Sequence, residues 1–284
     1  MPDTPKIEPL HLQGLSDYHC HCDYSVDAVG TVDEYCDAAI RRGLAEICFT
    51  THYDFNPRSD RQANFIVVRG DKRPTGPESL APYVKDVRRA ADRFLPEGLS
   101  VKLGVEFGWF PGCQEDVRAV IDRFSIEYAL CGIHELDNIC LCCRAHVERC
   151  FSRFSVEEAV EAYTAHVIQA AKSGLFDTIA HLDYVRRYGL DYYGPSLDSV
   201  FESRLPDIFG ALRSSGTALE INTAGLRHGV KSYYPKMNVV NAATRSGVAV
   251  QYIGSDAHRP DQVGFDFDGA GALVAGSIGW CDDL

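Results

Sequence analysis

The sequence predicts an α/β fold in which seven parallel strands, alternating with helices, close into a barrel. Short apolar runs alternate with helical segments seven times, which favours a parallel sheet. Each run ends in a histidine, a carboxylate or another polar side chain, as active-site residues do at the C-terminal rim of a barrel. An open doubly wound sheet would instead gather its site at one switch point. The 284 residues suit one such barrel, or two modest domains.

The predicted strands are short and mostly β-branched or aromatic, which is typical of buried strands. In chain order they are LSDYHCH, AEICFTTH, VKLGVE, EYALCGIH, FDTIAHLD, TALEIN and VAVQYIGSDAH. In the first, strand alternation puts Asp17, His19 and His21 on one face. Cys20 and Cys22 then lie on the other face. We expect the histidines to face the barrel mouth and the cysteines to pack under the helices as small apolar residues.

Five longer segments have helical periodicity and lie between the strands. They are TVDEYCDAAIRRGL, ESLAPYVKDVRRAADRF, CQEDVRAVIDRF, VEEAVEAYTAHVIQAAKSG and SLDSVFESRLPDIFGALRSSG. Thr31 and Glu34 have the spacing of a capping box at the start of the first segment, and Gly43 is a typical stop. Gly174 ends the fourth segment. Residues 56–78, which follow the second strand, are long enough to form a lid or a specificity loop.

Charge and composition restrict the class of partner. Lys and Arg number 28 and Asp and Glu number 40, which gives a net charge of −12. So acidic a chain repels nucleic acid and anionic membranes, and we expect neither as a partner. The sequence shows no signal-peptide pattern and no apolar run of membrane length, so we expect a cytoplasmic protein. The oligomeric state is left open, and a homo-oligomer is compatible with the sequence.

The eleven cysteines indicate a reducing compartment, because disulfide scaffolds are usually short and secreted. Their densest cluster is ICLCCRAHVERC, in which Cys140 and Cys143 form a CxxC pair. Cys142, His146 and Cys150 lie nearby in the sequence. The second CxxC of a zinc ribbon is missing. We therefore interpret this cluster as ordinary buried or surface thiols.

Imidazole and carboxylate groups occur at or just after the predicted strand ends, and a barrel would bring nine of them together. They are His19, His21, Asp27, His52, Glu106, His134, His181, Asp256 and His258. Zinc takes four ligands, so nine groups suit two or three ions with a bridging carboxylate. Imidazole with carboxylate favours divalent Zn, Mn or Fe over Ca or Mg. Burying this cluster without metal would cost free energy, since its charged groups would be desolvated.

The motifs resemble those of the PHP (polymerase and histidinol phosphatase) family over nearly the whole chain. In order they are HxH followed by Ser and Asp, TTHYD, GVEFGW, GIHEL, AHLDYVRRYG, LEINTAGLR and GSDAHRP. The later motifs are most similar to the histidinol-phosphate phosphatases of that family. The resemblance implies a distorted (β/α)7 barrel that spans residues 1–284 as one domain. The metal site would lie at the C-terminal ends of the strands.

The resemblance also implies a trinuclear site. Its first ion would be held by His19, His21, Glu106 and Asp256. Glu106 would bridge to a second ion, held also by His134 and His181. The third ion would be held by Asp27, His52 and His258. Glu106, Asp256 and His258 are for this reason also our candidates for catalysis.

The activity that the resemblance implies is metal-dependent hydrolysis of a phosphomonoester, first of all L-histidinol phosphate in histidine biosynthesis. Two ions about 4 Å apart can lower the pKa of a bridging water and supply a hydroxide in line with phosphorus. The same residues would serve a phosphatase or phosphodiesterase acting on another small phosphate ester. They would also serve a noncatalytic metal-binding module.

Arginines near the strand ends are the candidates for recognising phosphate. Arg187 and Arg227 match arginines of the phosphatase-like motifs, and the guanidinium fork suits phosphate oxygens. We expect Asn222 to offer a hydrogen bond at the mouth, and Lys231 is a second-rank candidate. Asp183 is expected to orient an imidazole beside His181, or else to protonate the leaving group.

Overall fold

The structure, a computed structural model, describes residues 16–59 and 64–278. His11 and the start of the first predicted strand lie outside the described residues. The strands of the described part are β1 (Ser16–Cys20), β2 (Glu46–Phe49), β3 (His52–Tyr53), β4 (Phe65–Val68), β5 (Asp71–Pro74), β6 (Ser100–Gly108), β7 (Tyr128–Gly132), β8 (Glu135–Leu136), β9 (Ile139–Cys140), β10 (Thr178–Ile179), β11 (Ala218–Asn222) and β12 (Val250–Gly254). Its α-helices are α1 (Val32–Arg42), α2 (Pro77–Phe94), α3 (Gln114–Phe124), α4 (Val147–Phe151), α5 (Val156–Lys172), α6 (Arg186–Tyr193), α7 (Ser196–Ser203), α8 (Leu205–Ser215), α9 (Met237–Arg245) and α10 (Phe267–Ile278).

Seven parallel strands close into a barrel, as predicted. Their order around it is β1, β2, β6, β7, β10, β11 and β12, and β12 pairs with β1 to complete the circle. These seven strands are the seven apolar runs recognised in the sequence. Beyond the end of β2, β3 continues the pairing with β6 and sets His52 beside Glu106. All the strands of the barrel therefore end at one rim.

The barrel has two apolar layers. The larger layer packs the outward faces of the strands against the helices and includes Cys20 and Cys22, as expected. A smaller cluster, which includes Tyr18, Tyr128 and Leu130, fills the interior towards the N-terminal ends of the strands. The inner side chains nearer the C-terminal ends are polar. This cluster closes the N-terminal end of the barrel interior, so the polar groups of the interior lie at the C-terminal rim.

An irregularity in β1 decides which side chains face the rim. Pairing with β2 shifts register between Asp17 and Cys20, so Tyr18 and His19 both turn inwards instead of alternating. His21 also points inwards. The expectation that Asp17 shares the face of these histidines is wrong.

The carboxylate of Asp17 points away from the histidine cluster and binds backbone N–H groups of the segment that follows β12. It accepts hydrogen bonds from the backbone N–H groups of Ser255 and Gly264, each at 2.9 Å. Burial raises the pKa of this carboxyl, and these bonds oppose the rise. Asp17 therefore anchors the segment that follows β12, which carries two of the predicted metal ligands.

The predicted helices form, with one exception. Thr31 and Glu34 make the reciprocal capping-box bonds at the start of α1, and Gly43 ends it with a positive φ. The segment 196–216, predicted as a single helix, is divided into α7 and α8 at Arg204. Pro206 explains the break, because it has no N–H to donate and its ring would clash with the carbonyl one turn earlier.

The long segment after β3 contains a hairpin, β4–β5, that the sequence prediction did not contain. Its turn residues Arg69 and Gly70 both have positive φ, as a tight two-residue turn requires. The N–H of Val67 donates to the carbonyl of Tyr24 at 2.9 Å, which holds the hairpin against the loop that carries Asp27. Its role as a lid or specificity loop stays a prediction. Within the described residues, no helix combines the length and hydropathy that crossing a membrane requires.

Candidate metal centre

Glu106 lies fully buried at the centre of the rim, near the C-terminal end of β6. Imidazole nitrogens surround its two carboxylate oxygens at distances from 2.8 Å to 3.7 Å. They belong to His19, His21, His52, His134 and His181. Four strand ends thus direct five imidazoles to one carboxylate, which suits it to bridge neighbouring cations.

Two aspartates extend the cluster towards solvent. One oxygen of Asp256 lies 3.3 Å from His21 Nε2, 3.6 Å from His19 Nε2 and 3.4 Å from His258 Nδ1. Asp27, about half exposed, lies 3.7 Å from His52 Nε2 and 3.6 Å from His258 Nε2. The structure therefore brings together all nine groups singled out in the sequence.

Several trios within this cluster are close enough to share an ion, with ligand atoms all within 4.8 Å of one another. The trios are His19–His21–Asp256, His19–Glu106–His181, His52–Glu106–His134 and His21–His52–His258. The first trio contains three of the four ligands predicted for the first ion. His19, His21, His52 and Glu106 each belong to two trios, so the division of the ligands among the ions stays a prediction.

Buried acceptors orient three of the imidazoles so that Nε2 faces the cluster, whereas His52 turns its Nδ1 to Glu106. His19 Nδ1 lies 3.0 Å from a carboxylate oxygen of Glu220, and His134 Nδ1 lies 3.1 Å from Asp54. His258 Nδ1 lies 3.0 Å from the carbonyl of Asp256. Acceptors so placed keep the proton on Nδ1 and leave the lone pair on Nε2, an arrangement typical of metal-bound histidine.

Sequence reasoning missed Glu220 and Asp54. Glu220 occupies the same face of β11 as Asn222, two residues earlier, and Asp54 follows His52 by two residues. The two-residue period of strands could have marked them as inward-facing. It could not have identified their partners, because His19 and Glu220 are 201 positions apart in the chain.

Several buried atoms of the cluster make no hydrogen bond of acceptable geometry among the described residues. They are His19 Nε2, His21 Nε2, His52 Nδ1 and Glu106 Oε2. Buried polar atoms are nearly always satisfied, because leaving one unsatisfied costs about 1–3 kcal/mol. Atoms with lone pairs that converge in this way fit divalent cations, so the residues present suit a centre of several ions.

The cluster's electrostatics also favour cations. Burial by itself would raise the pKa of Glu106, but the imidazoles of His134, His52 and His19 hold it well below its usual range. Burial likewise opposes ionisation of Asp256, and His19 and His21 outweigh it and lower the pKa. Both carboxylates are therefore ionised at neutral pH.

The imidazoles are not equivalent. Burial would lower the pKa of His19, but Glu220 and Asp256 raise it well above its ordinary value. The pKa of His21 is lowered well below that value by burial and by the neighbouring His52 and His258. Binding of a cation would thus have to displace a proton from His19 but not from His21.

Two inward-facing glycines make room for these side chains. A Cβ at Gly132 would lie 2.4 Å from His134 Nε2 and 2.7 Å from Glu106 Oε1. One at Gly254 would lie 2.5 Å from Glu220 Oε2. Such contacts are too short to exist, so any larger residue would displace the cluster. The sequence prediction did not include either glycine.

The two arginines predicted to bind phosphate lie beside the cluster. Arg227 donates through Nη2 to the carbonyls of Ser255 and Asp256, at 2.7 and 2.9 Å, and so supports the loop that carries Asp256. Arg187 donates to the hydroxyl of Tyr184, and its guanidinium carbon lies 5.5 Å from the centre of that ring. Tyr184 in turn packs against His181. Both guanidinium groups are half-buried.

Asn222 and Lys231, the other two residues predicted to bind substrate, differ in burial. Asn222 is buried and donates to Glu220 at 2.9 Å, while its own oxygen accepts from the N–H of Ala224. It supports the cluster from within instead of lining an open mouth. Lys231 is exposed and has a positive φ of 55°. Their role in binding substrate stays a prediction.

Asp183 does not orient an imidazole, contrary to the expectation. It accepts from the backbone N–H of Lys236 at 3.1 Å and lies 3.4 Å from Arg186. Nδ1 of the neighbouring His181 makes no hydrogen bond among the described residues. Burial raises the pKa of Asp183 to about 6, although Arg186 opposes the rise. The carboxylate therefore fastens the segment that precedes α9.

Replacing Glu220 by Gln should weaken metal binding about 10- to 100-fold, because the ring of His19 would lose its anionic partner. At saturating metal, kcat should be largely restored, since Glu220 acts through His19. Isothermal titration with Zn²⁺ and a metal-activation curve measure both effects. The exposed Glu115→Gln, in the first turn of α3, is the matched control. Unchanged affinity in the Glu220 variant would contradict this role.

Comparison with known proteins reveals extensive similarity. The family model of the PHP domain matches residues 17–224. A protein of Deinococcus radiodurans named "Probable histidinol-phosphatase" is 32% identical over 256 residues, which are 90% of this chain and 91% of that protein. The histidinol-phosphatase of Lactococcus lactis is 29% identical over 211 residues, or 73% of this chain and 71% of that protein.

Solved structures agree with the fold. The crystal structure of a histidinol phosphate phosphatase from Lactococcus lactis, in complex with zinc, L-histidinol and phosphate, superposes with a TM-score of 0.72. It is 23% identical, and the match covers 93% of this chain and 94% of that one. Asp256 and His258 lie beyond the part matched by the family model, just after β12, the last strand of the barrel. On the extent of these matches, the chain belongs to the PHP domain family.

Proposed function

We propose that this protein is a metal-dependent phosphomonoesterase whose substrate is L-histidinol phosphate. The observation that carries the proposal is the convergence of nine imidazole and carboxylate groups at one rim of the barrel, with buried lone pairs directed at one another. The relatives named as histidinol-phosphatases support the choice of substrate, since the similarity extends over most of this chain. The Lactococcus complex supports zinc as one metal that such a site accepts.

The charges around the site suit a phosphate ester. The substrate's phosphoryl group carries about two negative charges at neutral pH, whereas the protein carries a net charge of −12. A dianion would be repelled without local cations. Bound metal ions supply most of that positive charge, and Arg187 and Arg227 would add to it beside the cluster.

The chain's own residues would act mainly by holding and orienting. His19, His21, Glu106 and Asp256 would bind one ion, with the others held as the family resemblance implies. When bound, the ions would lower the pKa of a water molecule and neutralise charge on the phosphoryl oxygens. Glu220 and Asp54 would fix two imidazole rings. No side chain is required as a covalent nucleophile.

Asp183 is the sequence-based candidate for the general acid that would protonate the leaving group. Asp183, with its pKa raised to about 6, would carry a proton for part of the time near neutral pH. Its contacts with Arg186 and with the backbone of Lys236 favour a structural role. We therefore propose no proton transfer from Asp183.

Two other functions use the same cluster. One is hydrolysis of a different small phosphate ester, either a monoester or a diester, for which the surrounding loops would decide specificity. The other is a noncatalytic metal-binding module. Retention of all nine predicted ligand types favours an enzyme. The closed, cysteine-rich, tetrahedral pattern of structural zinc sites also differs from this cluster.

A substrate panel separates these functions. The purified chain, stripped and then reconstituted with Zn²⁺ or Mn²⁺, would be assayed for phosphate release from histidinol phosphate, other phosphomonoesters and a phosphodiester. We expect the highest kcat/KM for histidinol phosphate. A higher value for another ester would overturn the substrate assignment. Metal binding without hydrolysis of any ester would favour the noncatalytic module.

Replacing Arg187 by Ala should raise KM for the phosphomonoester about tenfold or more, because a charge-assisted contact to phosphate would be lost. The inhibition constant of inorganic phosphate should rise in parallel. Arg118→Ala, on the exposed surface of α3, is the matched control. An unchanged KM and an unchanged phosphate inhibition constant would exclude Arg187 from the phosphate site.

Arg227 should behave differently, because it also supports the Ser255–Asp256 backbone. We expect Arg227→Ala to lower kcat as well as to raise KM. Steady-state kinetics of the two arginine variants side by side test the distinction. A purely KM effect in both would mean that the backbone contacts do not matter to catalysis.

We also propose that the chain folds as one domain and acts in the cytoplasm on a small molecule. The acidic surface argues against nucleic acid and anionic membranes as partners. The eleven cysteines suit a reducing compartment. A homo-oligomer remains compatible with the sequence, and light scattering would measure its size.

A further inference from the structure

The segment between β7 and α5, residues 133–155, contains a second group of side chains close enough to hold a metal ion. Cys140, Cys143 and His146 place two sulfur atoms and one ring nitrogen within 4.8 Å of one another. None of the three belongs to the nine-residue cluster. The sequence had suggested ordinary thiols, because the pattern contains one CxxC and not two. Folding adds the histidine to the pair, which changes that interpretation.

We propose that Cys140, Cys143 and His146 bind one Zn²⁺ ion, with the fourth position of the tetrahedron left to a water molecule. Thiolate and imidazole are the ligands that structural zinc prefers, and CxxC is its usual cysteine spacing. In a tetrahedral site, sulfur atoms lie about 3.7 Å apart for zinc–sulfur distances of about 2.3 Å. A contraction of about 1 Å or less would therefore bring the two sulfur atoms to that separation. Binding releases the two thiol protons to solvent.

The surroundings of the three residues explain why a metal would be useful there. Residues 133–155 form two strands of two residues, a three-residue 3-10 helix and the five-residue α4. Elements this short have little core of their own, and long irregular segments are uncommon in compact domains unless they have a function or are disordered. A bound ion would join β9 to the 3-10 helix.

The same segment is connected to the main cluster. The N–H of Leu141 donates to the carbonyl of His134 at 3.0 Å, immediately beside Cys140. Cys150 approaches the carbonyl of Ile139 at 3.9 Å, so α4 packs back on β9. An ion bound at Cys140 would therefore restrict the backbone of His134, a predicted ligand of the nine-residue cluster.

Cys142 lies between the two proposed cysteine ligands in the sequence and serves as an internal control. Its sulfur lies 3.0 Å from that of Cys140, yet it is outside the trio whose atoms all lie within 4.8 Å. Cys142 and Cys143 are both half-buried. Substituting either one alone therefore removes a thiol of similar exposure from the same loop.

Cobalt(II) is a suitable probe, because only sulfur ligands give a thiolate-to-cobalt charge-transfer band in the near ultraviolet. The full chain, reduced and stripped of metal, would be titrated with Co²⁺. We expect a sulfur band in the wild type and in Cys142→Ala, with no such band in Cys143→Ala, which should also bind one ion fewer per chain. Absence of the band in the wild type, or its persistence in Cys143→Ala, would overturn the proposal.

Alkylation of the wild-type protein gives a test that needs no variant. Zn²⁺ should slow the modification of Cys143 at least about tenfold and leave that of Cys142 nearly unchanged, as followed by peptide mass spectrometry. Equal rates at Cys143 with and without Zn²⁺ would overturn the proposal. Recovery of a Cys140–Cys142 disulfide from the reduced, zinc-loaded protein would do the same and would indicate a redox pair instead.

Discussion

A Glu106→Gln protein should lose at least about three orders of magnitude in kcat while keeping its fold. The substitution preserves shape and removes one negative charge from a carboxylate that five imidazoles surround. An amide is a poor bridging ligand, since its nitrogen has no lone pair available for a cation. A thousandfold loss corresponds to about 4 kcal/mol of transition-state stabilisation.

Three measurements check this prediction. Steady-state kinetics with a phosphomonoester give kcat, metal analysis gives the number of ions per chain, and circular dichroism reports the fold. We expect at least one ion fewer in the Glu106 variant. The matched control is Glu115→Gln, because Glu115 is exposed on α3 and does not belong to the cluster. Normal turnover in the Glu106 variant would rule out a bridging role.

Replacing Gly132 by Ala should be the second most damaging change, although it adds a single methyl group. The new Cβ would lie 2.4 Å from His134 Nε2 and 2.7 Å from Glu106 Oε1, so one or both side chains must move. Overpacking of this kind costs about 1–3 kcal/mol of stability. Displacing a ligand by about 1 Å should lower kcat at least about a hundredfold.

Gly210→Ala is the matched control for this substitution. Gly210 lies within α8, where a Cβ would meet nothing within 4 Å, and its φ is not positive. Alanine there should leave activity unchanged and slightly raise the melting temperature, because alanine favours helix. Thermal unfolding and kinetics of both variants test the prediction. Full activity in Gly132→Ala would show that the cluster can shift to accommodate a methyl group.

Much of this architecture could be predicted from local patterns. Seven apolar runs gave the seven barrel strands, and the spacing of Thr31 and Glu34 gave the start of α1. Local patterns failed where a single residue interrupted them. Pro206 split one predicted helix into α7 and α8, and the register shift in β1 removed Asp17 from the histidine face.

The sequence by itself determined the barrel, the family and the nine groups at the rim, because strand alternation and ligand chemistry are local properties. Only the tertiary structure identified Glu220 as the partner of His19, the lack of room for a Cβ at Gly132, and the proximity of His146 to Cys140. The first two depend on distances set by how the barrel brings its strands together, and the third on distances set by how residues 133–155 fold. Such distances carry no periodic signal along the sequence, so residues far apart reveal their partnership only when the barrel forms.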